Sequence, residues 1–374
     1  MKKTASVWLL LLLIVILGAL LFLRAQPAAK APMPEASPAP TAAAVLSAPP
    51  EASLSPAPTP EPTPEPTPEP TPLPTPLPTP QPLREPEITE STVDAALFGE
   101  CDQPGTLLRV EYTTPDYVFG MTDEFPKPLE VYLPYGYDEA EHYDLLFLFH
   151  VRQADERFWL EREHEYVFPD GKRSVTGKQL LDNMIAQGYC RPMIVVCPWS
   201  YLDSYASDRH LSQQNYPQMS REFGEVLLPY VAEHFATWAE GGSREQLRAA
   251  REHIAVLGAS FGAYMTELSV LAPNLDLVSW YAMAGGGDVT RDYLEPIWNQ
   301  AGTNGLPIDL LYFVEGEYDD IGPIADSYQG LSTWSGVFTP EENLRFTILR
   351  QNGHTNQAWL TTLYNAAQLF FREA

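Results

Sequence analysis

Short apolar runs alternate with helical patterns from Thr106 to the end of the chain. The later runs are continuously apolar, which is typical of parallel strands covered on both faces. The segments between them show apolar residues at the three-to-four-residue spacing of amphipathic helices. The first two runs are short enough, and close enough in sequence, to form an antiparallel hairpin. The pattern therefore predicts an α/β three-layer sandwich with a mostly parallel sheet.

The individual elements follow from the same periodicity. The predicted strands are Leu107–Tyr112, Leu129–Leu133, Leu145–Phe149, Met193–Val196, Ile254–Leu257, Val278–Ala282, Leu310–Val314 and Arg345–Leu349. The predicted helices are Lys178–Gln187, Ser220–Phe235, Phe261–Leu271, Tyr293–Asn299 and Thr355–Phe371.

Proline is concentrated before this domain, because 22 of the 37 prolines fall between Pro27 and Pro86. A segment so rich in proline cannot build a core, and its four-residue repeat, Glu61-Pro62-Thr63-Pro64, favours polyproline II. Sixty such residues reach about 190 Å. Residues 26–90 are therefore predicted to be a Pro/Thr/Glu-rich disordered linker that acts as a stalk, and residues 91–374 the folded domain.

The first 25 residues are predicted to be a signal peptide or an N-terminal membrane anchor. Lys2 and Lys3 precede an uncharged, mostly apolar stretch, Ala5–Leu23, which as a helix spans about 28 Å, close to the hydrocarbon thickness of a bilayer. A cleaved signal has a shorter apolar core and an A-x-A-like site, which Leu23-Arg24-Ala25 matches poorly. An uncleaved anchor is favoured over cleavage. Either outcome predicts an extracellular domain, cell-surface anchored or secreted.

Charge and cysteine content exclude several classes of protein. The formal net charge is −26, so the surface repels phosphate backbones, and we expect neither nucleic-acid binding nor a strongly acidic polymer as substrate. Three cysteines are too few for a scaffold built on disulfides.

The most informative motif is Gly258-Ala259-Ser260-Phe261-Gly262, a G-x-S-x-G sequence between a predicted strand and a predicted helix. In this context the serine sits on a strained strand-to-helix turn, and the small flanking residues let the chain pass. The turn exposes the hydroxyl beside a helix N-terminus, which favours developing negative charge. Ser260 is therefore the predicted nucleophile; the alternative is an ordinary glycine-rich turn.

A serine nucleophile needs a base, and the base needs an orienting carboxylate. The G-x-S-x-G fold places them in the order Ser, Asp or Glu, His, each after a later strand. His354 is the only histidine after Ser260 and is the predicted base. Asp319 is the favoured acid, followed by Asp320 and then Glu317; those that do not serve would be solvated loop carboxylates.

With these motifs the domain resembles the esterase D and feruloyl/acetyl-xylan esterase group of α/β-hydrolases, carbohydrate esterase family 1. Mycolyltransferases and siderophore esterases are relatives of that group. The resemblance covers most of Leu107–Phe371. The matching positions are His150, Glu156 and Trp159 after the third strand, Gly316 with Asp319, and Gly353-His354 with Trp359. An α/β-hydrolase esterase domain over 91–374 is what the resemblance implies.

The resemblance also implies an oxyanion hole made of two backbone N–H groups, those of Phe261 and Arg152. Here the chain departs from the family pattern, which usually has glycine directly after the strand-end histidine and more glycine two positions on. This chain has Val151, Gln153 and Ala154 instead. Because glycine permits backbone conformations that valine resists, a displaced second donor is expected, with an altered substrate or reduced activity as its consequence.

Four aromatic residues are predicted to bind substrate: Trp159, Trp199, Tyr201 and Trp359. Trp199 and Tyr201, with Tyr205, follow a strand on the side where active-site loops gather, and they could stack a sugar or an aromatic acyl group. Packing of these loop aromatics on the domain is the alternative.

No metal or cofactor is expected. His164 and His210 lie in predicted loops without a second ligand at a suitable spacing. The run Gly285-Gly286-Gly287-Asp288 lacks the Gly-Lys-Ser/Thr of a phosphate loop and is predicted to be a tight turn beside the active site.

Together these features predict an extracellular serine esterase that hydrolyses carboxylic esters through an acyl-enzyme. By resemblance, its substrates would be acetyl or feruloyl groups on plant polysaccharide, or a small-molecule ester. The predicted contact with the membrane is through residues 5–23 if they stay uncleaved. The alternatives are an acyltransferase or other-ester hydrolase with the same three residues, and a non-catalytic surface-binding protein that kept the fold.

Overall fold

An eight-stranded sheet forms the centre of the molecule. The computed structural model describes residues 82–372 apart from 116, 118–123, 202–214, 301–305 and 320–323. The strands are β1 Thr106–Pro115, β2 Glu124–Leu133, β3 Asp144–Phe149, β4 His164–Phe168, β5 Gly171–Val175, β6 Met193–Pro198, β7 Ile254–Ala259, β8 Trp280–Ala284, β9 Leu310–Gly316 and β10 Leu344–Leu349.

The strand order in the sheet is β1-β2-β6-β3-β7-β8-β9-β10. The last six strands of this order, β6, β3, β7, β8, β9 and β10, run parallel. Strands β1 and β2 pair antiparallel, and β2 is antiparallel to β6. Strands β4 and β5 form a separate antiparallel hairpin. The predicted antiparallel first hairpin and mostly parallel sheet are confirmed.

Helices cover both faces of this sheet. They are α1 Gly177–Ala186, α2 Asn215–Glu222, α3 Leu228–His234, α4 Arg244–Ala249, α5 Phe261–Met265, α6 Arg291–Trp298, α7 Ile324–Ser332 and α8 Asn356–Leu369. A π-helical turn, Phe223–Leu227, joins α2 to α3, and a second, Thr266–Leu271, extends α5. Short 3-10 helices lie at Ala95–Phe98 and Arg251–His253.

Two apolar cores lie on opposite faces of the sheet. One contains residues of α1, α8 and the β4–β5 hairpin, and the other contains residues of α2, α3 and α5. Because both faces are covered, every residue of β3, β6, β7 and β8 is buried, which explains why their sequences are apolar apart from Asp144 at the start of β3. The predicted α/β three-layer sandwich is the observed architecture.

Some elements differ from the prediction. Strand β8 begins at Trp280 rather than Val278, and the β4–β5 hairpin, α4 and α7 were not predicted. In β4 the buried residues His164, Tyr166 and Phe168 alternate with exposed ones, so the strand covers the edge of one core instead of entering the sheet.

The end of the predicted linker lies against the domain. The Arg84 N–H donates to the carbonyl of Gly188 at 2.8 Å, and the Thr89 N–H donates to Asn365 Oδ1 at 3.0 Å. Residues 84–89 are thus hydrogen-bonded to the folded unit, although the sequence assigned them to the linker. The predicted boundaries at residues 25 and 90 stay predictions.

The predicted anchor and most of the predicted stalk lie outside the described residues. Among the residues that are described, no helix is both long and apolar enough to cross a bilayer.

A buried ion pair ties β2 to the helical layer near the carboxyl ends of the parallel strands. Lys127 Nζ lies 2.5 Å from Glu222 Oε1, and the two side chains are 1% and 0% exposed. The Tyr112 hydroxyl donates to the same oxygen. Burial lowers the pKa of Lys127, and the attraction of Glu222 opposes that shift. Loss of either partner would leave the other as an uncompensated buried group.

We expect Lys127→Met to lower the free energy of unfolding by about 3–5 kcal/mol, because Glu222 would be left charged and buried without its cation. Denaturant unfolding followed by tryptophan fluorescence measures the change. The matched control is Lys172→Met, whose partner Glu165 lies 2.6 Å away in a pair that is 62% and 64% exposed. That change should cost no more than about 1 kcal/mol.

Adding Glu222→Gln to Lys127→Met should recover part of the loss, because the orphan charge disappears while the Tyr112 hydroxyl keeps an acceptor. Equal stability of the Lys127→Met and Lys172→Met proteins would contradict the importance of the buried pair.

Candidate active site

Ser260 occupies a strained turn between β7 and α5. Its backbone angles, φ 55° and ψ −117°, lie outside the regions that a side-chain-bearing residue normally adopts. At this turn, Gly258 and Gly262 lie very close to neighbouring backbone carbonyl groups. A Cβ on Gly258 would lie 1.9 Å from the Gly262 carbonyl oxygen, and a Cβ on Gly262 would lie 2.2 Å from the Phe149 carbonyl oxygen. Both glycines are therefore required by space, as the G-x-S-x-G motif predicts.

Hydrogen bonds join the predicted catalytic residues Ser260, His354 and Asp319. His354 Nε2 is 2.7 Å from Ser260 Oγ, and His354 Nδ1 is 3.1 Å from Asp319 Oδ2. A carboxylate only accepts hydrogen bonds, so Nδ1 carries the proton and Nε2 accepts from the serine hydroxyl. The Asp319 side chain is fully buried and the His354 ring is mostly buried. This arrangement can take the proton of Ser260 when its oxygen attacks an electrophile.

The candidate carboxylates for orienting His354 differ in what they contact. Glu317 turns away from His354: its Oε2 accepts the Gln351 N–H at 2.8 Å, and its Oε1 lies 3.9 Å from the Arg350 guanidinium. Asp320 lies outside the described residues. Of the two described candidates, only Asp319 contacts the histidine.

Trp359 packs against the ring of His354. Its ring meets the His354 ring edge-on, with centroids 4.7 Å apart. Gly285, at φ 57°, fits against the same pair, since a Cβ there would lie 2.5 Å from the Trp359 ring and 2.8 Å from Asp319 Oδ2. The predicted substrate-binding role of Trp359 does not fit its burial, because its exposed fraction is only 3%. The ring packs on His354 instead.

The glycine run after β8 forms the predicted turn beside this site. The Ser260 N–H donates to the Ala284 carbonyl at 2.8 Å, and a Cβ on Gly286 would lie 2.7 Å from the Ser260 carbonyl oxygen. Close approach to the nucleophile's backbone explains the glycine at 286.

Trp159 is also part of the core rather than of a cleft. It is 1% exposed, and its indole N–H donates to the Phe149 carbonyl at 3.0 Å. That bond fastens the end of β3 to the loop that follows. This burial leaves Trp159 almost no surface for contact with a substrate.

His150 joins the ends of β3 and β6. The Ser200 N–H donates to His150 Nε2 at 3.0 Å, so Nδ1 carries the proton and donates to the Val151 carbonyl at 2.8 Å. Burial lowers the pKa of His150 to about 4, so the ring is neutral at neutral pH. Its role is structural.

Tyr201 connects the two segments that flank Ser260. Its ring stacks on Phe261, with centroids 5.8 Å apart and planes 16° apart, and its hydroxyl accepts the Gln153 N–H at 2.5 Å. Tyr201 is buried, so its ring does not offer a stacking face. Trp199 lies edge-on to it at 6.2 Å and is half-buried. Among the four predicted substrate-binding aromatics, Trp199 alone keeps a partly exposed side chain; Tyr205 lies outside the described residues.

The loop after His150 adopts a glycine-like conformation without glycine. Gln153 has φ 60°, the left-handed region that glycine occupies most easily. It is the second of the positions where the resemblance led us to expect glycine. The hydrogen bond from its N–H to Tyr201 helps to hold that conformation, and sequence reasoning missed this partner because the two residues lie 48 positions apart.

The described residues contain no cluster of three or more His, Cys, Asp or Glu side chains that could hold a metal ion. His164 is buried and its Nε2 lies 2.7 Å from the Phe158 carbonyl oxygen, so it too is a structural residue. His210 lies outside the described part of the chain.

Comparisons with solved structures point to one group of proteins. The feruloyl esterase module of Clostridium thermocellum in complex with sinapinate is 20% identical, with a TM-score of 0.61, and the match covers 79% of this chain and 96% of that one. A carbohydrate esterase family 1 ferulic acid esterase from Anaeromyces mucronatus is 19% identical, with a TM-score of 0.56, over 77% of this chain and 98% of that one. This chain has the fold of the feruloyl esterases. The predicted resemblance to that group is confirmed.

Curated sequences agree with the structural neighbours. Endo-1,4-beta-xylanase Y of Acetivibrio thermocellus is 27% identical over 210 residues, which is 55% of this chain and 17% of that protein. An endo-1,4-beta-xylanase/feruloyl esterase of Xylanibacter ruminicola is 25% identical over 173 residues, 44% of this chain and 20% of that protein. The match thus spans a fifth or less of the length of these relatives. No family model matches the chain.

The line of hydrogen bonds predicts which carboxylate orients His354. Asp319→Asn should slow covalent labelling of Ser260 by a fluorophosphonate at least about 100-fold, because an amide holds the wrong imidazole tautomer. Glu317→Gln is the matched control, and its labelling rate should stay within about threefold of wild type. Intact-protein mass spectrometry over time measures both rates. Equal slowing by the two changes would contradict the assignment of Asp319.

Proposed function

We propose that this chain is a serine esterase that hydrolyses carboxylic esters through an acyl-enzyme. The observation that carries the proposal is the unbroken line from Ser260 Oγ through His354 to the buried Asp319 carboxylate. The strained turn that exposes the hydroxyl supports it independently, because backbone strain of this kind concentrates at functional sites.

In the proposed mechanism, Ser260 Oγ attacks the ester carbonyl carbon while its proton passes to His354 Nε2. Asp319 keeps the proton on Nδ1 and stabilises the imidazolium that forms. The tetrahedral intermediate collapses, the bond to the alcohol oxygen breaks, and His354 gives its proton to that oxygen. A water molecule, deprotonated by the same histidine, then attacks the acyl-enzyme; the bond to Ser260 Oγ breaks, the acid is released, and His354 returns the proton to Ser260 Oγ.

The developing oxyanion would be held by the backbone N–H groups of Phe261 and Arg152. Phe261 directly follows the nucleophile, where the first donor of this fold lies. Arg152 precedes Gln153, whose N–H is held by Tyr201. Because the Tyr201 ring also stacks on Phe261, one buried side chain contacts one proposed donor residue, Phe261, and the neighbour of the other, Gln153.

For the substrate, we propose acetyl or feruloyl esters on plant polysaccharide. Support comes from the relatives, one of which is named as a xylanase/feruloyl esterase, and from the neighbours crystallised with sinapinate and ferulic acid. A formal net charge of −26 also suits a largely neutral polysaccharide better than a polyanion. Trp199, the half-buried member of the four predicted aromatics and a neighbour of Tyr201, is the residue that we propose for contact with an aromatic acyl group.

The N-terminal pattern supports action outside the cytoplasm. An apolar segment over residues 5–23 followed by a proline-rich stalk would hold the esterase domain at a distance from the membrane, and cleavage after the apolar segment would release it.

We expect Ser260→Ala to lower kcat for methyl ferulate and 4-nitrophenyl acetate by at least about 1,000-fold, because no nucleophile remains to form the acyl-enzyme. Ser335→Ala, at an exposed serine elsewhere on the domain, should leave kcat unchanged. Initial rates with both esters measure the effect. A well-folded wild-type protein that turned over neither ester would argue against an esterase.

The Tyr201 hydroxyl gives a second prediction. Tyr201→Phe keeps the ring stacked on Phe261 but removes the acceptor of the Gln153 N–H, so we expect kcat to fall about 10- to 100-fold with little change in KM. Tyr166→Phe is the control, because that buried hydroxyl also accepts a backbone N–H, from Val93 at 2.9 Å, away from Ser260. It should leave kcat near the wild-type value.

Rescue would separate positioning of the loop from a general loss of stability. Gln153→Gly in the Tyr201→Phe protein should restore part of kcat, because glycine occupies positive φ without a penalty. If Tyr201→Phe reduced kcat no more than Tyr166→Phe does, the hydroxyl would have no part in placing the loop.

A further inference from the structure

An open groove of about 480 Å³ lies beside His354. One wall is formed by Glu165 and Val167 of the β4–β5 hairpin, and the other by the seven consecutive residues 351–357, which include the His354 turn and the start of α8. Its volume falls in the range of about 300–1,000 Å³ that small-molecule sites occupy.

The walls of this groove are held in place by hydrogen bonds. The Val167 N–H donates to Gln357 Oε1 at 3.1 Å, which ties the hairpin to α8. Thr355 caps α8 by accepting the Ala358 N–H at 3.3 Å. Gln351 has φ 56°, and its N–H donates to Glu317 at 2.8 Å. The groove is therefore built by specific contacts on both sides.

Its chemistry suits a neutral polyhydroxylated ligand. Amide and hydroxyl side chains dominate the lining, and each can both donate to and accept from sugar hydroxyls: Gln351, Asn352, Thr355, Asn356 and Gln357. Among the described residues that line the groove, Glu165 is the only carboxylate, and it is paired with Lys172. Neither lysine nor arginine is found among these described lining residues, which favours a neutral ligand over an anion.

Two exposed apolar side chains accompany these polar groups. Val167 lies on the wall and is 43% exposed, and Tyr318 is 68% exposed, the most exposed of the large apolar side chains in the described residues. Tyr318 reaches the same segment, because its N–H donates to the Asn352 carbonyl at 2.8 Å and a Cβ on Gly353 would lie 3.7 Å from its Cβ. An exposed aromatic ring beside amides is a suitable surface for stacking a sugar ring.

The position of the groove fits one part of an ester. In the proposed mechanism His354 Nε2 must reach the leaving oxygen, so the alcohol portion of the ester lies along the His354 segment. The acyl portion then lies toward Trp199 and Tyr201, on the β6 side of the nucleophile strand.

We propose that the groove between β4 and the His354 segment binds the saccharide that carries the ester, with Tyr318 stacking on a sugar ring at its rim. This inference rests on the proposed esterase function and adds a binding site for the alcohol side of the substrate.

Two substrates with the same acyl group test the site. Methyl ferulate has no sugar, whereas a feruloylated xylan oligosaccharide reaches into the groove. We expect Tyr318→Ala and, separately, Asn356→Ala to lower the ratio of kcat/KM for the oligosaccharide to that for methyl ferulate about tenfold, mainly through KM for the oligosaccharide. Trp238→Ala removes an exposed aromatic that stacks on His253 before β7 and should leave the ratio unchanged.

A ratio that stayed at the wild-type value in both variants would overturn the inference while leaving the esterase proposal intact. Equal losses with both substrates would also overturn it, because the residues would then act on the reacting groups rather than on the sugar.

Binding can be measured without turnover. Isothermal titration of the feruloylated oligosaccharide into Ser260→Ala should give a dissociation constant that rises about tenfold when Tyr318→Ala is added. A dissociation constant that Tyr318→Ala left unchanged would overturn the saccharide site. Tyr318-dependent binding by a protein whose wild-type form hydrolysed neither ester would uphold the site and reject the esterase.

Discussion

The strained conformation of Ser260 is the constraint on which the rest of the structure depends. A residue with φ 55° and ψ −117° persists only where its surroundings force it, and here a buried strand before it and a helix after it do so. The turn is so tight that Gly258 and Gly262 have no space for a side chain. Gly262 in turn packs on the Phe149 carbonyl, which accepts the Trp159 indole N–H, so the core of one face fixes the turn that exposes the hydroxyl.

Much of the fold follows from the sequence because the physical rule is simple: strands buried on both faces must be continuously apolar. That rule predicts the buried strands β3, β6, β7 and β8, and all eight strands of the sheet are found, although β1 and β10 are only partly buried. The boundaries are less exact: β2 begins at Glu124 rather than Leu129, and β8 begins at Trp280 rather than Val278. The β4–β5 hairpin was missed because its exposed residues include Glu165, Lys172 and Arg173, which dilute the apolar signal. The available cue was Pro169-Asp170 between its strands, followed by Gly171 at the start of β5.

In the candidate site, the gathering of the catalytic residues was predictable from the sequence, but the orientation of the aromatic side chains was not. Position after a strand predicts that Ser260, Asp319 and His354 gather at the carboxyl edge of the sheet, since parallel strands end on the same side. It does not predict which way an aromatic ring turns. Trp159 and Tyr201 are buried because each has a specific backbone partner, the Phe149 carbonyl and the Gln153 N–H, and such partners emerge only from the packed structure. The same holds for Gln153, whose left-handed conformation replaces an expected glycine.

The two faces of the sheet contribute unequally to the site. Helix α5, which begins directly after Ser260, packs into one core together with Tyr201, and Trp359 and the β4–β5 hairpin belong to the other. Phe261 and Tyr201 thus pack in one core, whereas Trp359, which contacts the base, lies in the other core together with Trp159, which holds the end of β3. An ester bound across the edge of the sheet would meet the first set at its acyl end and the second at its alcohol end. Substitutions at the exposed hairpin residues Glu165 and Val167 would therefore alter the surface near His354 while leaving the contacts of Gly258 and Gly262 in the Ser260 turn in place, so that the proposed chemistry and the proposed alcohol specificity could vary separately.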